Sequence, residues 1–288
     1  MLRINILISL MSLKLNYLVI ILILLITVPL FGSDPPFKDS SKTYSRIYDS
    51  RIHLTFGLFL PSINSTAQVN SETGRIGTII NLENTFSLPE NQNLFRLNGL
   101  YRFNNNQSIE GYYYALNRSG SNIAGDSIVF GKIIFRVNSS YNAFFNATLF
   151  GAKYRYSIFN GETVEAGFSV GLSFLDVKLG AEVTLLNQSS SDEYSDLLFL
   201  PVLGFYNRIN VVDNLIFRSN VDMFALNIKR YDGVLLDFGI SVEYQFYTLF
   251  SVGVSYNVFS LDINYNTNRT GKIIYAHKGL MFFGKLYF

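Results

Sequence analysis

The sequence contains no cysteine and no tryptophan, and only 6 of its 288 residues are proline. The absence of cysteine excludes disulfides, thiolate chemistry and a lipid-modified cysteine behind a leader peptide. Charged residues make up only 15% of the chain, and the formal net charge of +2 gives no basic surface for nucleic acid. The two histidines restrict histidine-dependent catalysis to His53 and His277.

The only apolar run of transmembrane character lies at the N-terminus. Arg3 and Lys14 precede an uncharged apolar stretch from Leu18 to Phe31, which Gly32 follows. A basic start, a short apolar run and a small residue are typical of a secretory signal peptide. A run of about 14 residues is shorter than the roughly 20 that a spanning helix needs, although an uncleaved anchor is the alternative.

The leader divides the chain into three predicted parts. Residues 1–32 are predicted to be the signal peptide, 33–50 a short periplasmic N-terminal segment and 51–288 a transmembrane β-barrel. Removal of residues 1–32 takes away two positive charges and no negative ones, so the formal charge falls from +2 to 0.

Aromatic residues are abundant, with 26 Phe and 19 Tyr, and apolar residues recur with a period of two. In Val234–Phe246, apolar side chains such as Ile240 and Val242 alternate with polar or small ones such as Ser241 and Glu243. This alternation is typical of a strand that has one greasy face and one polar face.

The alternation predicts an all-β fold: a closed antiparallel up-and-down transmembrane β-barrel of about ten strands, with eight as the alternative. The length of each strand is close to the roughly 9–11 residues with which a tilted strand crosses a bilayer. The strands are predicted near residues 51–60, 93–103, 108–118, 145–158, 163–177, 198–209, 214–228, 234–246, 250–264 and 273–288.

The connections alternate between short turns and longer polar segments. Long loops are predicted at 61–92, 119–144 and 178–197, and outer-membrane barrels carry their long loops outside the cell. The turns are predicted at Asn104–Gln107, Asn160–Glu162, Val211–Asp213 and Tyr247–Leu249, which places Gln107, Gly161 and Asp213 at the periplasmic rim and Ser71, Gly125 and Ser190 outside.

A soluble β-sandwich would show the same alternation, but the placement of the aromatic residues favours a membrane. Aromatic side chains at the apolar positions of the alternation lie beside the short turns, as in the aromatic girdle of a membrane barrel, where the rings lie between lipid and water. The predicted girdle consists of Tyr101, Phe103, Tyr154, Tyr156, Tyr244, Phe246, Phe250 and Phe288.

The polar positions of the alternating strands carry a set of charged residues that we predict to face the lumen, the lumenal charge network. We interpret it as internal ion pairs, since charges in a narrow lumen must be paired or solvated; a water-filled pathway tuned by these charges is the alternative. The members are Arg96, Arg102, Glu110, Lys153, Arg155, Glu165, Arg218, Asp222, Asp237, Glu243 and Lys285.

The final strand closing on Phe288 and the meander before it resemble the small Gram-negative outer-membrane β-barrel proteins of the broad OmpA and OmpW group, without a periplasmic domain. Segments such as Phe95–Asn104 and Tyr112–Gly120 look like a hairpin of that group. The resemblance implies the fold, the outer-membrane address and dependence on the barrel assembly machinery. It implies no catalytic residues, and the sequence itself predicts no cofactor and no metal site.

Three functions follow as hypotheses. The first is a structural or surface-interaction barrel in contact with outer-membrane lipids, whose long extracellular loops bind an unknown ligand. The second is a narrow, porin-like passive channel for small solutes. The third is a membrane-embedded hydrolase of the lipid A deacylase or omptin kind. We predict that the protein is not an enzyme, because His53 and His277 lie on strands of opposite direction at different heights and cannot share a proton relay.

Overall fold

The computed structural model of this protein describes residues 50–185, 188–212, 214–228, 230–266 and 269–288. The predicted signal peptide 1–32 lies outside the described residues, as do residues 33–49 of the N-terminal segment and Asp213. Among the described residues, no helix is long and apolar enough to cross a membrane.

Ten long strands and four short elements follow one another along the described chain. The short elements are β2 (Ile80–Asn81), α1 (Leu82–Phe86), β5 (Ile128–Phe130) and β6 (Ile133–Phe135). The long strands are β1 (Ile52–Val69), β3 (Leu94–Arg102), β4 (Gln107–Ile123), β7 (Ser140–Asn160), β8 (Val164–Leu185), β9 (Gln188–Val212), β10 (Leu215–Ile228), β11 (Tyr231–Tyr247), β12 (Phe250–Asn266) and β13 (Thr270–Tyr287).

The ten long strands form one closed barrel. Each pairs antiparallel with the long strand before it, and β13 returns to pair with β1. This closing seam runs from His53 opposite Tyr287 to Val69 opposite Gly271. The prediction of a closed, ten-stranded antiparallel barrel is confirmed, and the alternative of eight strands is wrong.

The two ends of the barrel differ in their connections. The ends of the described chain, at Arg51 and Phe288, meet at one rim, where the amide of Arg51 donates to the carbonyl of Phe288. We call the half of the barrel at this rim the inner half and the opposite half the outer half. Gln107 and Gly161 lie at the inner rim beside the short turns, whereas Ser71, Gly125 and Ser190 lie at the outer end.

The predicted long loop 178–197 is wrong, because strands fill it. Strand β8 continues to Leu185 and β9 begins at Gln188. The segment was interpreted as a loop because its outward side chains are polar, yet its inward ones, such as Leu179 and Tyr194, are apolar and buried. The loops predicted at 61–92 and 119–144 also contain strand, since β1 extends to Val69, β4 to Ile123 and β7 begins at Ser140.

The strands invert their polarity at mid-length. Near the inner rim, β12 places Ser251 and Ser255 inside the barrel and Val252 and Val254 outside. Beyond Val258 the same strand buries its apolar side chains inside and turns polar ones outward. The inward set is Phe259, Leu261, Ile263 and Tyr265, and the outward set is Ser260, Asp262, Asn264 and Asn266.

The outward apolar band has the height of a membrane. It runs from Ile52 to Leu60 on β1, from Val164 to Phe174 on β8 and from Phe250 to Val258 on β12. These spans match the roughly 9–11 residues with which a tilted strand crosses a bilayer. Polar residues such as Ser62 follow directly on the outward parity.

A short connecting segment completes the wall of the outer half. Strand β3 begins only at Leu94, which leaves a gap between the longer β1 and β4, and residues 80–93 fill it. Strand β2 pairs with β1, and the side chain of Asn81 caps α1 by accepting from the amide of Asn84 at 2.8 Å. The segment is thus part of the wall.

A buried ion pair fixes this segment to the barrel. Arg118 on β4 is 2.5 Å from Glu83 of α1, and Ser65 on β1 bonds to both side chains. All three are buried, so the pair holds three elements of the wall together.

The hairpin β5–β6 folds across the outer mouth. Its turn at Gly131 donates to the carbonyl of Val69 on β1. There Arg269, between β12 and β13, makes ion pairs with Asp192 on β9 at 2.9 Å and with Glu72 at 3.2 Å. We call Glu72, Lys132, Asp192 and Arg269 the mouth clamp, because they join four separate parts of the rim.

Candidate functional site

The candidate site is the lumen of the inner half, where charged side chains surround a cavity of about 170 Å³. Their inward direction follows from the period-two alternation, which turns every second side chain into the barrel. Ten of the eleven side chains of the predicted network line this cavity, and the eleventh, Glu165, bonds to Arg102 in its wall.

Glu165 is the centre of a cluster near the inner rim. Arg102 reaches it with both terminal nitrogens, at 2.8 and 3.2 Å, and the Nε of Arg208 donates to it at 3.2 Å. The hydroxyl of Ser157 donates at 2.8 Å. One buried carboxylate therefore serves two guanidinium groups, which is the geometry that a buried charge requires.

Two further carboxylates share a lysine across the lumen. Lys153 lies 2.6 Å from Asp222 and 4.0 Å from Glu110, and Arg155 lies 2.8 Å from Glu110. The guanidinium of Arg155 also stacks over the ring of Tyr206, 3.6 Å from its centroid. The two cations of this group, Lys153 and Arg155, balance the charge of its two carboxylates.

Glu243 forms the third cluster, beside the closing seam. It accepts from the Nε of Arg218 at 3.0 Å, from the hydroxyl of Ser251 at 2.6 Å and from the hydroxyl of Tyr287. Lys285 lies 3.9 Å away, at the limit of an ion pair.

Two members of the predicted network stand apart from these clusters. Arg96 lies over the rings of Phe59 and Tyr114, 5.6 and 5.0 Å from their centroids. Among the described residues, no carboxylate lies within ion-pair distance of Arg96, and the carboxylate of Asp237 neither forms an ion pair nor accepts a hydrogen bond.

Above this network the lumen is filled with aromatic side chains. His277 stacks on Phe259 with ring centroids 5.1 Å apart and meets Phe59, Tyr114 and Tyr275 edge-on. Its Nδ1 is 3.0 Å from the hydroxyl of Tyr275. These rings, with further buried apolar residues above them, fill the outer half.

The two histidines are far apart. His53 lies at the inner rim opposite Tyr287, with its Nε2 2.8 Å from the hydroxyl of Ser50, while His277 is opposite Ile63 on the same strand β1. From His53 to Ile63 is about 30 Å of strand at roughly 3.3 Å per residue. No proton relay can join them directly.

The predicted girdle residues point outward near the inner rim. Seven of the eight are exposed by 41 to 57%, and Phe250 is half-buried. Tyr101 meets Phe103 and Tyr244 meets Phe246, each edge-to-face, at 5.3 and 4.9 Å between ring centroids.

The sequence interpretation missed two buried arginines. Arg208 has the inward parity of Tyr206 and pairs in register with Glu165, so parity alone would have added it to the network. Arg118 follows Tyr114 on the inward parity of β4, but it was assigned to the last position of a shorter strand. The partner of Arg118, Glu83, lies in a segment without strand periodicity and gave no signal.

No protein-family model matches the sequence, and no curated protein matches it. Among solved structures, the outer membrane protease OmpT from Escherichia coli superimposes with a TM-score of 0.55 and 11% identity, over 83% of this chain and 97% of OmpT. This likeness shows a shared barrel fold and leaves the activity open.

Two other barrels superimpose less well. Ail, the attachment invasion locus protein of Yersinia pestis, gives a TM-score of 0.29 at 11% identity over 81% of this chain and 98% of Ail. The toluene transporter TodX of Pseudomonas putida gives 0.31 at 6% identity over 82% and 89%. The expected likeness to the OmpA and OmpW group is not specifically confirmed.

Proposed function

We propose that this chain is an integral outer-membrane β-barrel with a structural or surface-interaction role, and that it does not conduct solutes. The observation that carries the proposal is the aromatic filling of the outer half around His277, which among the described residues covers the charged lumen of the inner half. The outward apolar band and its aromatic girdle support contact with outer-membrane lipids.

The outer end supports the surface role. Ile76 and Ile79 are exposed by 73 and 70% in the segment before α1, and Ile134 and Val137 by 44 and 54% in and after the hairpin β5–β6. Apolar side chains on an ordered surface outside a lipid band are typical of protein interaction sites. The ligand of this surface is unknown, and the barrel assembly machinery is the partner expected during biogenesis.

The runner-up is a narrow passive channel, and a recording from planar bilayers distinguishes the two. Refolded barrel without residues 1–32 should give no steady conductance steps. The matched variant replaces Phe59, Tyr114 and Phe259 together with alanine, which removes three of the rings around His277 and should raise the conductance above that of the unaltered protein. Steady steps from the unaltered protein would contradict the proposal.

Orientation is tested by labelling intact cells with a reagent that cannot cross the outer membrane. Cysteines introduced at Thr73 and Ser190, both exposed at the outer end, should label. Ser71, which was also predicted to lie outside, is unsuitable for labelling because it is buried. A cysteine at the inner-rim residue Asn105 should be protected, and the reverse pattern would overturn the orientation.

We also propose that the protein is not a histidine-dependent enzyme. His277 is surrounded by rings and bonds to Tyr275, and His53 bonds to Ser50, so among the described residues neither has the carboxylate partner of a general base. Turnover of a lipid or peptide substrate that His277→Ala abolished, in a variant that still folds, would contradict this.

A further inference from the structure

The lumenal cavity is large enough to hold a solute. Its lining reaches from His53 at the inner rim to Met281 below the aromatic filling. A volume of about 170 Å³ has room for about six water molecules at roughly 30 Å³ each.

The charges around this cavity do not balance. With Arg208 added to the predicted network, the lumen of the inner half contains seven cationic side chains and five carboxylates among the described residues. The formal excess is two positive charges, and uncompensated charge inside a barrel is costly. The cations are Arg96, Arg102, Lys153, Arg155, Arg208, Arg218 and Lys285, and the carboxylates are Glu110, Glu165, Asp222, Asp237 and Glu243.

Three cavity-lining groups are poorly paired. Arg96 lies over two aromatic rings and has no ion pair or side-chain hydrogen bond among the described residues. Lys285 has Glu243 at 3.9 Å, but this carboxylate is already bonded to Arg218, Ser251 and Tyr287. The carboxylate of Asp237 forms no ion pair with any other described residue and accepts no hydrogen bond from one. Two cations and one anion therefore face the cavity with unused bonding capacity.

We propose that this cavity binds an acidic amino acid, a small solute with two carboxylates and one ammonium group. Arg96 and Lys285 hold the two carboxylates and Asp237 holds the ammonium, while Asn98 and Asn257 in the lining supply neutral hydrogen bonds. The solute brings one net negative charge and so reduces the excess. It enters from the inner rim, because aromatic rings fill the outer half.

Calorimetric titration of the refolded full barrel at low ionic strength tests the proposal with four defined probes. L-glutamate should bind about tenfold more tightly than glutarate, which lacks the ammonium group, and more tightly than glycine, which lacks one carboxylate. Inorganic phosphate should bind more weakly than glutamate. Phosphate binding equal to that of glutamate would mean an adventitious anion only and would overturn the proposal, as would no heat with millimolar glutamate.

Substitutions separate the roles of the three groups. Asp237→Asn should weaken glutamate binding about tenfold and leave glutarate binding unchanged or tighter, because glutarate has no ammonium group and is repelled by the carboxylate of Asp237. Arg96→Gln should weaken both. Lys272→Gln, in an outward ion pair with Asp262, is the matched control and should change neither. Equal effects of Asp237→Asn on both ligands would refute the assignment of the ammonium.

Folding of each variant is checked by its thermal transition. Should Arg96→Gln fail to fold, Lys285→Gln provides the second cation variant with the same expected loss of both ligands. The outcome of this binding test does not depend on the proposed surface role. Steady conductance in the bilayer recording would contradict the surface role, but it would not change the expected preference of the cavity for glutamate over glutarate.

Discussion

The inner and outer halves of this barrel are built from the same strands but distribute polarity in opposite ways. In the inner half, Glu243 and Ser251 lie inside and Val242 and Val252 outside. In the outer half, the inside is apolar and the outward positions are polar. One half therefore needs lipid around it, and the other resembles a water-soluble β-barrel with an apolar core.

The two halves gain their stability in different ways. The outer half gains free energy by removing side chains such as Leu261 and Ile263 from water, as any soluble domain does. The inner half has little apolar surface to bury inside, so its side chains must satisfy one another through ion pairs while lipid solvates the exterior.

An arginine that points outward into the apolar band should disrupt the protein most. Ile240→Arg places a charge in the apolar band and should prevent stable insertion, at a cost of about 2–4 kcal/mol near the bilayer centre. Asn264→Arg, outward in the outer half, should insert normally. The measurement is the folded fraction in lipid vesicles, and equal tolerance at the two sites would remove the distinction between the halves.

The second prediction concerns the buried ion pair of the outer wall. Arg118→Ala leaves Glu83 buried without its partner and should cost about 3–5 kcal/mol in the free energy of unfolding. The exposed pair of Lys272 with Asp262 is the control, and Lys272→Ala should cost less than about 1 kcal/mol. Urea titration compares them, and a small effect of Arg118→Ala would show that residues 80–93 are not fixed by this pair.

The third prediction compares two inward positions of one strand, β12. Leu261→Ala removes apolar contacts in the outer half and should cost about 3 kcal/mol. Ser255→Ala in the inner half removes a 2.8 Å hydrogen bond from Asn257 and should cost about 1 kcal/mol. The same urea titration measures both, and a reversed order would mean that the outer core contributes less than its burial indicates.

The smallest expected effect is a pH dependence of the mouth clamp. Hydrogen bonds from Lys132 and Arg269 lower the pKa of Glu72 below its ordinary value of 4.5. Since the ionised form makes these bonds, their contribution is present at neutral pH and is lost as the pH falls through the lowered pKa. Hydrogen exchange of residues 70–79 should accelerate only below pH 4.5, and Glu72→Gln should abolish this dependence.

The sequence predicted most of the inner half because its pattern has one dominant cause. Lipid on one side and a polar lumen on the other force the alternation seen at Phe238, Ser241 and Val242. Odd and even positions along a strand therefore indicate which side chains point outward and which point into the lumen. The same rule failed at residues 178–197. There the outward side chains are solvated, so polar residues such as Lys178 and Glu182 looked like a loop.

The candidate site was only partly predictable for a different reason. Parity identified which charges enter the lumen, but it contains no information on which strands become neighbours across it. The contact of Lys153 with Asp222 joins β7 to β10, and that of Arg102 with Glu165 joins β3 to β8. Such pairs depend on closure and tilt of the barrel, which local periodicity does not specify.

The seam between β1 and β13 also governs how the chain can fold. The partners His53 and Tyr287 stand at opposite ends of the described sequence, so the last strand must be available before the first can complete its pairing. Contacts of such long sequence separation slow folding, and until they form β1 exposes an unpaired edge. We therefore expect closure to be the late, concerted step of assembly, with the chain needing protection from aggregation until then.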